Sequence, residues 1–269
     1  MNGVGGVRAV ARATDLILAF SNEFPELRLR ELAEATGLPK ASTHRIAESL
    51  VVAGLLRRTV DGAYALGPQL IELGRLAVSS SPTLRAVRDV ADSFALEPRQ
   101  TLLVADVDWS AQRLVIVARR DAGAAVTGVS PVGRTSPLSN GGFSKVALAT
   151  LTREQLDNIM PTIRLVRRTP NSIVDAAAMR AELTRVRTRG YGYDVSEYVD
   201  GVASVSVPVP DQGRALGVLS VVGPEQQMPA ERIEALGRQL VVAVSALTPG
   251  RAAPASGGAQ PEDAAQTAG

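Results

Sequence analysis

Leu32-Ala33-Glu34-Ala35-Thr36-Gly37-Leu38-Pro39-Lys40-Ala41-Ser42-Thr43-His44-Arg45-Ile46 reads as two helices joined by a tight turn. Gly37 accepts the left-handed backbone that a helix stop often requires. Pro39, with its fixed φ and missing N–H, suits the first turn of the following helix. Two helices cross steeply only where the residues at their contact are small, and Ala33 supplies that. Leu32, Leu38, Thr43 and Ile46 then fall on the inward face, leaving Lys40, Ser42, His44 and Arg45 outside. Thr43 stands where such a unit usually carries an aliphatic residue. Its shape is similar, and its hydroxyl can bond a carbonyl one turn back.

Working outward, Val10, Ala13, Ile17 and Phe20 recur at helical spacing within residues 7–21, which predicts an amphipathic first helix. Residues 22–28, with Pro25, read as a connector. The third helix runs to about Ala53, and Gly54 closes it. Two short apolar runs, 55–60 and 63–66, flank Asp61-Gly62. Asp-Gly at that place predicts a two-residue hairpin turn, because such turns need positive φ. The whole is a winged helix-turn-helix over residues 7–67. Between Lys40 and Arg58 stand four cations and one acid, Glu48.

A helix about 10–12 Å across fits the major groove of B-DNA. Arg45 is the expected base reader, since a guanidinium bonds guanine in bidentate fashion. Lys40 and Ser42, near the helix start, take phosphate or base contacts. Arg57 and Arg58 on the wing are expected on backbone phosphates, which add affinity without sequence information. His44, the sole histidine, has no partner at metal-ligand spacing and is expected to make a polar contact with DNA or to be plainly solvated. Winged helices also occur in modules that bind only proteins, and a test of retention on DNA separates the two.

The chain's 269 residues exceed one average domain and suit two. Apolar residues make up 45% and aromatics only 3%, so the cores must be built from aliphatics. Cysteine is absent, which excludes disulfides and thiol nucleophiles. Net charge is +2, with 27 arginines against 2 lysines, and alone says little about nucleic acid. No leader is expected, and no apolar run approaches the ~20 residues of a membrane helix. The expected compartment is the cytoplasm.

Gly67-Pro68 breaks the chain. Residues 68–82 are expected to form a linker helix and linker, and 83–247 a second domain of mixed helix and strand. Strands are expected over 101–107, 113–117, 124–130, 202–208 and 215–222, with Asp211-Gln212-Gly213 joining the last two. Helices are expected over 84–96, 143–149, from Thr152, over 176–189, and over 229–247. Residues 1–6 are expected to be frayed, and 248–269, rich in Ala, Pro and Gly, disordered. Gly141-Gly142 before a helix suits an anion, because N–H groups at a helix start are unpaired and glycine permits close approach. Taken alone, the motif is better explained as a plain turn.

The chain resembles the IclR family of bacterial regulators. In the first domain this rests on Gly37-Leu38-Pro39-Lys40, His44-Arg45 and Tyr64-Ala65-Leu66-Gly67-Pro68. In the second it rests on Gly133 through Pro137-Leu138, Lys145 with Ala147-Leu148-Ala149, Arg189-Gly190-Tyr191, Asp194 with Glu197, Gly201-Val202 and Gly223-Pro224. The resemblance implies an α+β chain: the winged helix-turn-helix followed by a GAF-like mixed α/β effector-binding domain. It implies a DNA-binding repressor acting as a homodimer or dimer of dimers on a palindromic operator. A small organic acid, carboxylic or aromatic, would control it, with no cofactor and no metal.

Carried over by motif, the effector contacts fall at Gly142, Phe143, Asp194, Ser204, Ser220 and Val222. Phe143 is bulky and Val222 apolar where the family often has smaller or polar residues, which points to a less polar acid. Enzymatic activity is not expected, because no serine stands in GxSxG and only Asp194 with Glu197 pairs carboxylates.

Overall fold

The computed structural model describes residues 7–123 and 131–247. The expectations for residues 1–6, for a strand over 124–130 and for the tail from 248 lie outside them. The chain divides into two compact units, Met1–Ser80 and Ser81–Gly269.

The first unit runs α1 (Arg8–Leu18), β1 (Glu26–Leu27), α2 (Leu29–Thr36), α3 (Lys40–Val52), β2 (Leu56–Arg58), β3 (Tyr64–Leu66) and α4 (Gln69–Ser79). Gly37 ends α2 at φ +66°, as the sequence requires. The Glu31 carboxylate accepts the Arg28 N–H at 2.6 Å, holding the start of α2. Leu16, Leu32, Ala47, Leu50, Leu56 and Tyr64 form the core, with Leu38 and Ile46 packed against it. The Thr43 hydroxyl donates to the carbonyl of Pro39 at 3.2 Å, so the unusual threonine is satisfied within its own helix.

The wing departs from expectation in two ways. Its turn is not a two-residue one. The Thr59 N–H donates to Ala63 O at 2.8 Å, and the Gly62 N–H donates to Thr59 O at 3.0 Å. Val60-Asp61-Gly62 therefore forms a three-residue loop, with Gly62 at φ +76°, the usual site of the left-handed residue in such loops. The Thr59 hydroxyl also accepts the Ala63 N–H at 3.1 Å, which closes the strands one residue earlier than Asp-Gly alone would. Further, the expected connector contributes β1, and the sheet has the order β1-β3-β2. No residue of α4 is buried within its unit.

The second unit runs α5 (Pro82–Ser93), β4 (Thr101–Asp108), β5 (Arg113–Asp121), β6 (Thr135–Pro137), α6 (Gly141–Ala149), α7 (Arg153–Ile159), α8 (Ala176–Arg189), β7 (Gly192–Val195), β8 (Val202–Asp211), β9 (Arg214–Pro224) and α9 (Ala230–Ser245). Two 3-10 turns, Met160–Thr162 and Glu225–Gln227, complete it. Six antiparallel strands stand in the order β6-β5-β4-β9-β8-β7. Strand alternation divides the interior into two cores. Leu102, Val104, Val205, Val207, Leu219 and Val221 pack in one core with residues of α5 and α9. Leu103, Ala105, Val218 and Val222 pack in the other with residues of α6 and α8. On the strands of the second core Ser204, Ser206 and Ser220 lie buried.

Candidate DNA-binding helix and ligand pocket

On α3, Lys40, His44 and Arg45 are exposed and Ser42 is half-buried; Arg57 and Arg58 are exposed on β2. The residues expected outside are outside, and Leu32 and Thr43 are fully buried beneath them. Arg58 is not the free phosphate anchor that the sequence suggested. Its Nε and Nη2 donate to Glu48 Oε1 at 3.1 and 2.7 Å, and Nη2 also donates to Tyr64 Oη at 2.9 Å. Ten residues separate Arg58 from Glu48, and only the packing of wing against helix brings them together. Arg57, next to it, has no such tie among the described contacts and remains the wing's unpaired cation.

In the second unit α6 begins against the face of the sheet. A Cβ on Gly142 would stand 2.7 Å from Ser204 Oγ and 3.0 Å from Ser206 Oγ, so only glycine fits without displacing them. The Gly142 N–H donates to Asp194 Oδ2 at 3.2 Å, and the Ser204 hydroxyl donates to the same oxygen at 3.0 Å. The anion at this helix start is thus the protein's own carboxylate. Burial pushes the Asp194 carboxyl above the usual range, opposed by the Gly142 N–H, the charge of Lys145 and the Ser204 hydroxyl. Behind it, Lys145 is 1% exposed and bonds Glu197 Oε1 at 2.5 Å. Burial also raises the Glu197 carboxyl, against the pull of Lys145.

A cavity of about 70 Å³ opens between this helix start and the sheet. Its wall includes Gly142, Phe143, Asp194, Ser204 and Val222. Ser220, expected among them, is a correction. It is fully buried, its hydroxyl donates to Val205 O at 3.0 Å, and it shares a 2.9 Å bond with Ser206. Those bonds consume the hydroxyl between β8 and β9, away from the cavity wall.

Sequence reasoning missed other lining residues, among them Leu103, Ile116, Arg134, Asn140 and Tyr198. The first two could have been found from strand alternation. Asn140 is positioned by long-range bonds, donating to Ile173 O at 2.9 Å and accepting the Val166 N–H at 3.3 Å, for which no local signal exists. Arg168 stacks on Tyr198 at 4.3 Å beside the cavity. No set of three or more His, Asp or Glu is placed to hold a metal ion among the described residues. No described helix is long and apolar enough to cross a membrane.

Residues 103–248 match the family model for the bacterial transcriptional regulator IclR C-terminal domain, and residues 9–59 match the IclR helix-turn-helix domain. The chain is 30% identical over 242 residues to the HTH-type transcriptional regulator Rv1719 of Mycobacterium tuberculosis, covering 88% of this chain and 90% of that protein. It is 24% identical over 246 residues to the transcriptional repressor IclR of Escherichia coli, covering 91% and 90%. The crystal structure of an IclR homolog from Microbacterium hydrocarbonoxydans complexed with 4-hydroxybenzoate superposes with a TM-score of 0.73 at 22% identity, covering 88% of this chain and 97% of that one. Helix-turn-helix, curled antiparallel sheet and both family models agree along the chain: it belongs to the IclR family of DNA-binding bacterial transcriptional regulators.

Proposed function

We propose that the chain is a cytoplasmic repressor that binds a palindromic operator as a homodimer or dimer of dimers and is controlled by a small, weakly polar organic acid. The observation that carries the ligand part is the cavity at the start of α6, where a mostly apolar wall meets Asp194 at one place and Arg134, the only cation among the described lining residues, at another. An acid group would turn to Arg134. An apolar or aromatic body would lie against Leu103, Ile116, Phe143 and Val222. A hydroxyl on that body would donate to Asp194, which as a carboxylate only accepts. The Microbacterium homolog's 4-hydroxybenzoate has that chemistry and is the first probe to use.

Self-association has support in unpartnered apolar side chains. Val10 and Leu18 on α1 and Ile71, Leu73 and Leu76 on α4 are all exposed in the single chain, more than isolated surface residues require. No catalysis is assigned. The test is fluorescence anisotropy on a duplex that the protein itself selects from a random pool, with 4-hydroxybenzoate, benzoate and glyoxylate titrated in. The proposal expects the aromatic acids to weaken DNA binding at lower concentration than glyoxylate. DNA affinity indifferent to all three would refute this assignment of the pocket.

A further inference from the structure

Glu48 is the one acidic residue of α3, and it lies one helical turn beyond His44 on the helix that faces DNA. An acid there repels phosphates, so its presence calls for a compensating role. Its Oε1 receives three hydrogen bonds: from Arg58 Nε and Nη2 at 3.1 and 2.7 Å, and from Tyr64 Oη at 2.9 Å. Arg58 Nη2 closes the ring by donating to Tyr64 Oη at 2.9 Å, and the guanidinium lies 4.8 Å from the Tyr64 ring centre. Arg58 and Tyr64 are register partners across the wing hairpin, and the Tyr64 ring is buried in the domain core. One carboxylate oxygen on the reading helix therefore grips both strands of the wing.

The bonded phenol is pushed up to about 12, first by burial and then by its bond to Glu48. The Glu48 carboxyl is held below its ordinary range, by the Tyr64 bond first and Arg58 second. Glu48 and Arg58 side chains are 40% and 43% exposed, and so exposed a pair adds little to stability. What it fixes is angle.

We propose that Glu48 is a positioning residue for DNA recognition: by clamping Arg58 and Tyr64 it sets the wing against the reading helix and holds Arg58 back from indiscriminate phosphate contact. Removing the acid then lowers sequence discrimination without lowering affinity for arbitrary DNA. The proposal rests on the DNA-reading role of α3. If the wild-type chain enriches no duplex from a random pool, that role fails; if it does enrich one, the variants test the clamp alone.

The experiment measures binding of the full chain to the selected duplex and to a scrambled duplex of equal length, for wild type, E48A, E48Q and Y64F. For E48A the clamp predicts a selected-to-scrambled ratio lowered about tenfold (~1.4 kcal/mol), with scrambled affinity unchanged or higher. Y64F, altered at a buried position out of reach of DNA, shifts the ratio the same way by several-fold. E48Q, which keeps the acceptor oxygen, stays within about threefold of wild type. Three results overturn it. Both affinities rising together at constant ratio is a plain charge effect. A lowered ratio in E48A with Y64F unchanged means that Glu48 touches bases itself. Loss of both affinities with a lowered melting temperature means fold damage.

Discussion

Replacing Gly142 with alanine tests how closely α6 is seated on the sheet. The added Cβ would stand 2.7 Å from Ser204 Oγ and 3.0 Å from Ser206 Oγ, several tenths of an ångström inside contact. Ser204 must rotate, which breaks its 3.0 Å bond to Asp194 and leaves a buried carboxylate short of a donor, about 1–3 kcal/mol. Overpacking alone costs about 1–3 kcal/mol, and the better helix propensity of alanine returns at most about 1 kcal/mol. A net loss of about 2 kcal/mol lowers the melting temperature of a domain this size by roughly 4–8 °C.

Trp109, the only tryptophan, reports on this unit, since its Nε1 donates to Ala215 O at 2.9 Å. Its emission follows melting of the second unit apart from the first. The double substitution G142A/S204A should recover part of the loss, because the clash and the hydroxyl are the same contact. A G142A protein melting at or above the wild-type temperature would refute the packing argument.

Lys145→Met removes one partner of a buried pair and should cost about 3–5 kcal/mol at neutral pH; the loss should shrink in acid, where the abandoned Glu197 takes up a proton, and a pH-independent loss would count against it. Asp194 has a raised carboxyl in the fold, so it favours the folded state below its unfolded pKa, and that benefit is lost as pH rises through the raised value. Denaturant midpoints of wild type and Asp194→Asn, followed from pH 4.5 to 8, should therefore diverge, wild type losing ground as pH rises; parallel curves would contradict the burial argument. Arg57→Ala should weaken selected and scrambled duplexes alike and reduce the salt slope by about one; an effect confined to the selected duplex would make Arg57 a base reader instead.

The helix-turn-helix was legible because its signals are local. Gly37 and Pro39 fix a stop and a start within three residues, and Thr152 with Gln155 forms a capping box that the sequence states outright. The wing turn was misread because Thr59, outside the Asp-Gly pair, closes the hairpin with both backbone and side chain. Strands β1, β6 and β7 span two, three and four residues, too few for period-two alternation to stand out.

At the pocket, Gly142, Asp194 and Ser204 came from motif positions, and the geometry explains why they belong together. Ser220 shares their sheet face, but its hydroxyl is taken by Val205 O and Ser206; no periodicity distinguishes Ser204 from Ser220. The tie between Arg58 and Glu48 depends on how a hairpin leans on a helix, which composition and spacing do not encode.

Reading of duplex DNA by α3 underlies the whole assignment, and selection from a randomised duplex pool by the full chain puts it to the test. It predicts enrichment of a two-fold symmetric sequence, with affinity falling at least about tenfold between 50 and 200 mM salt because several phosphates are neutralised, and with the preference at one base pair relaxed by Arg45→Ala. Recovery of no common sequence, or binding unmoved by salt and by the loss of Arg45, would contradict it.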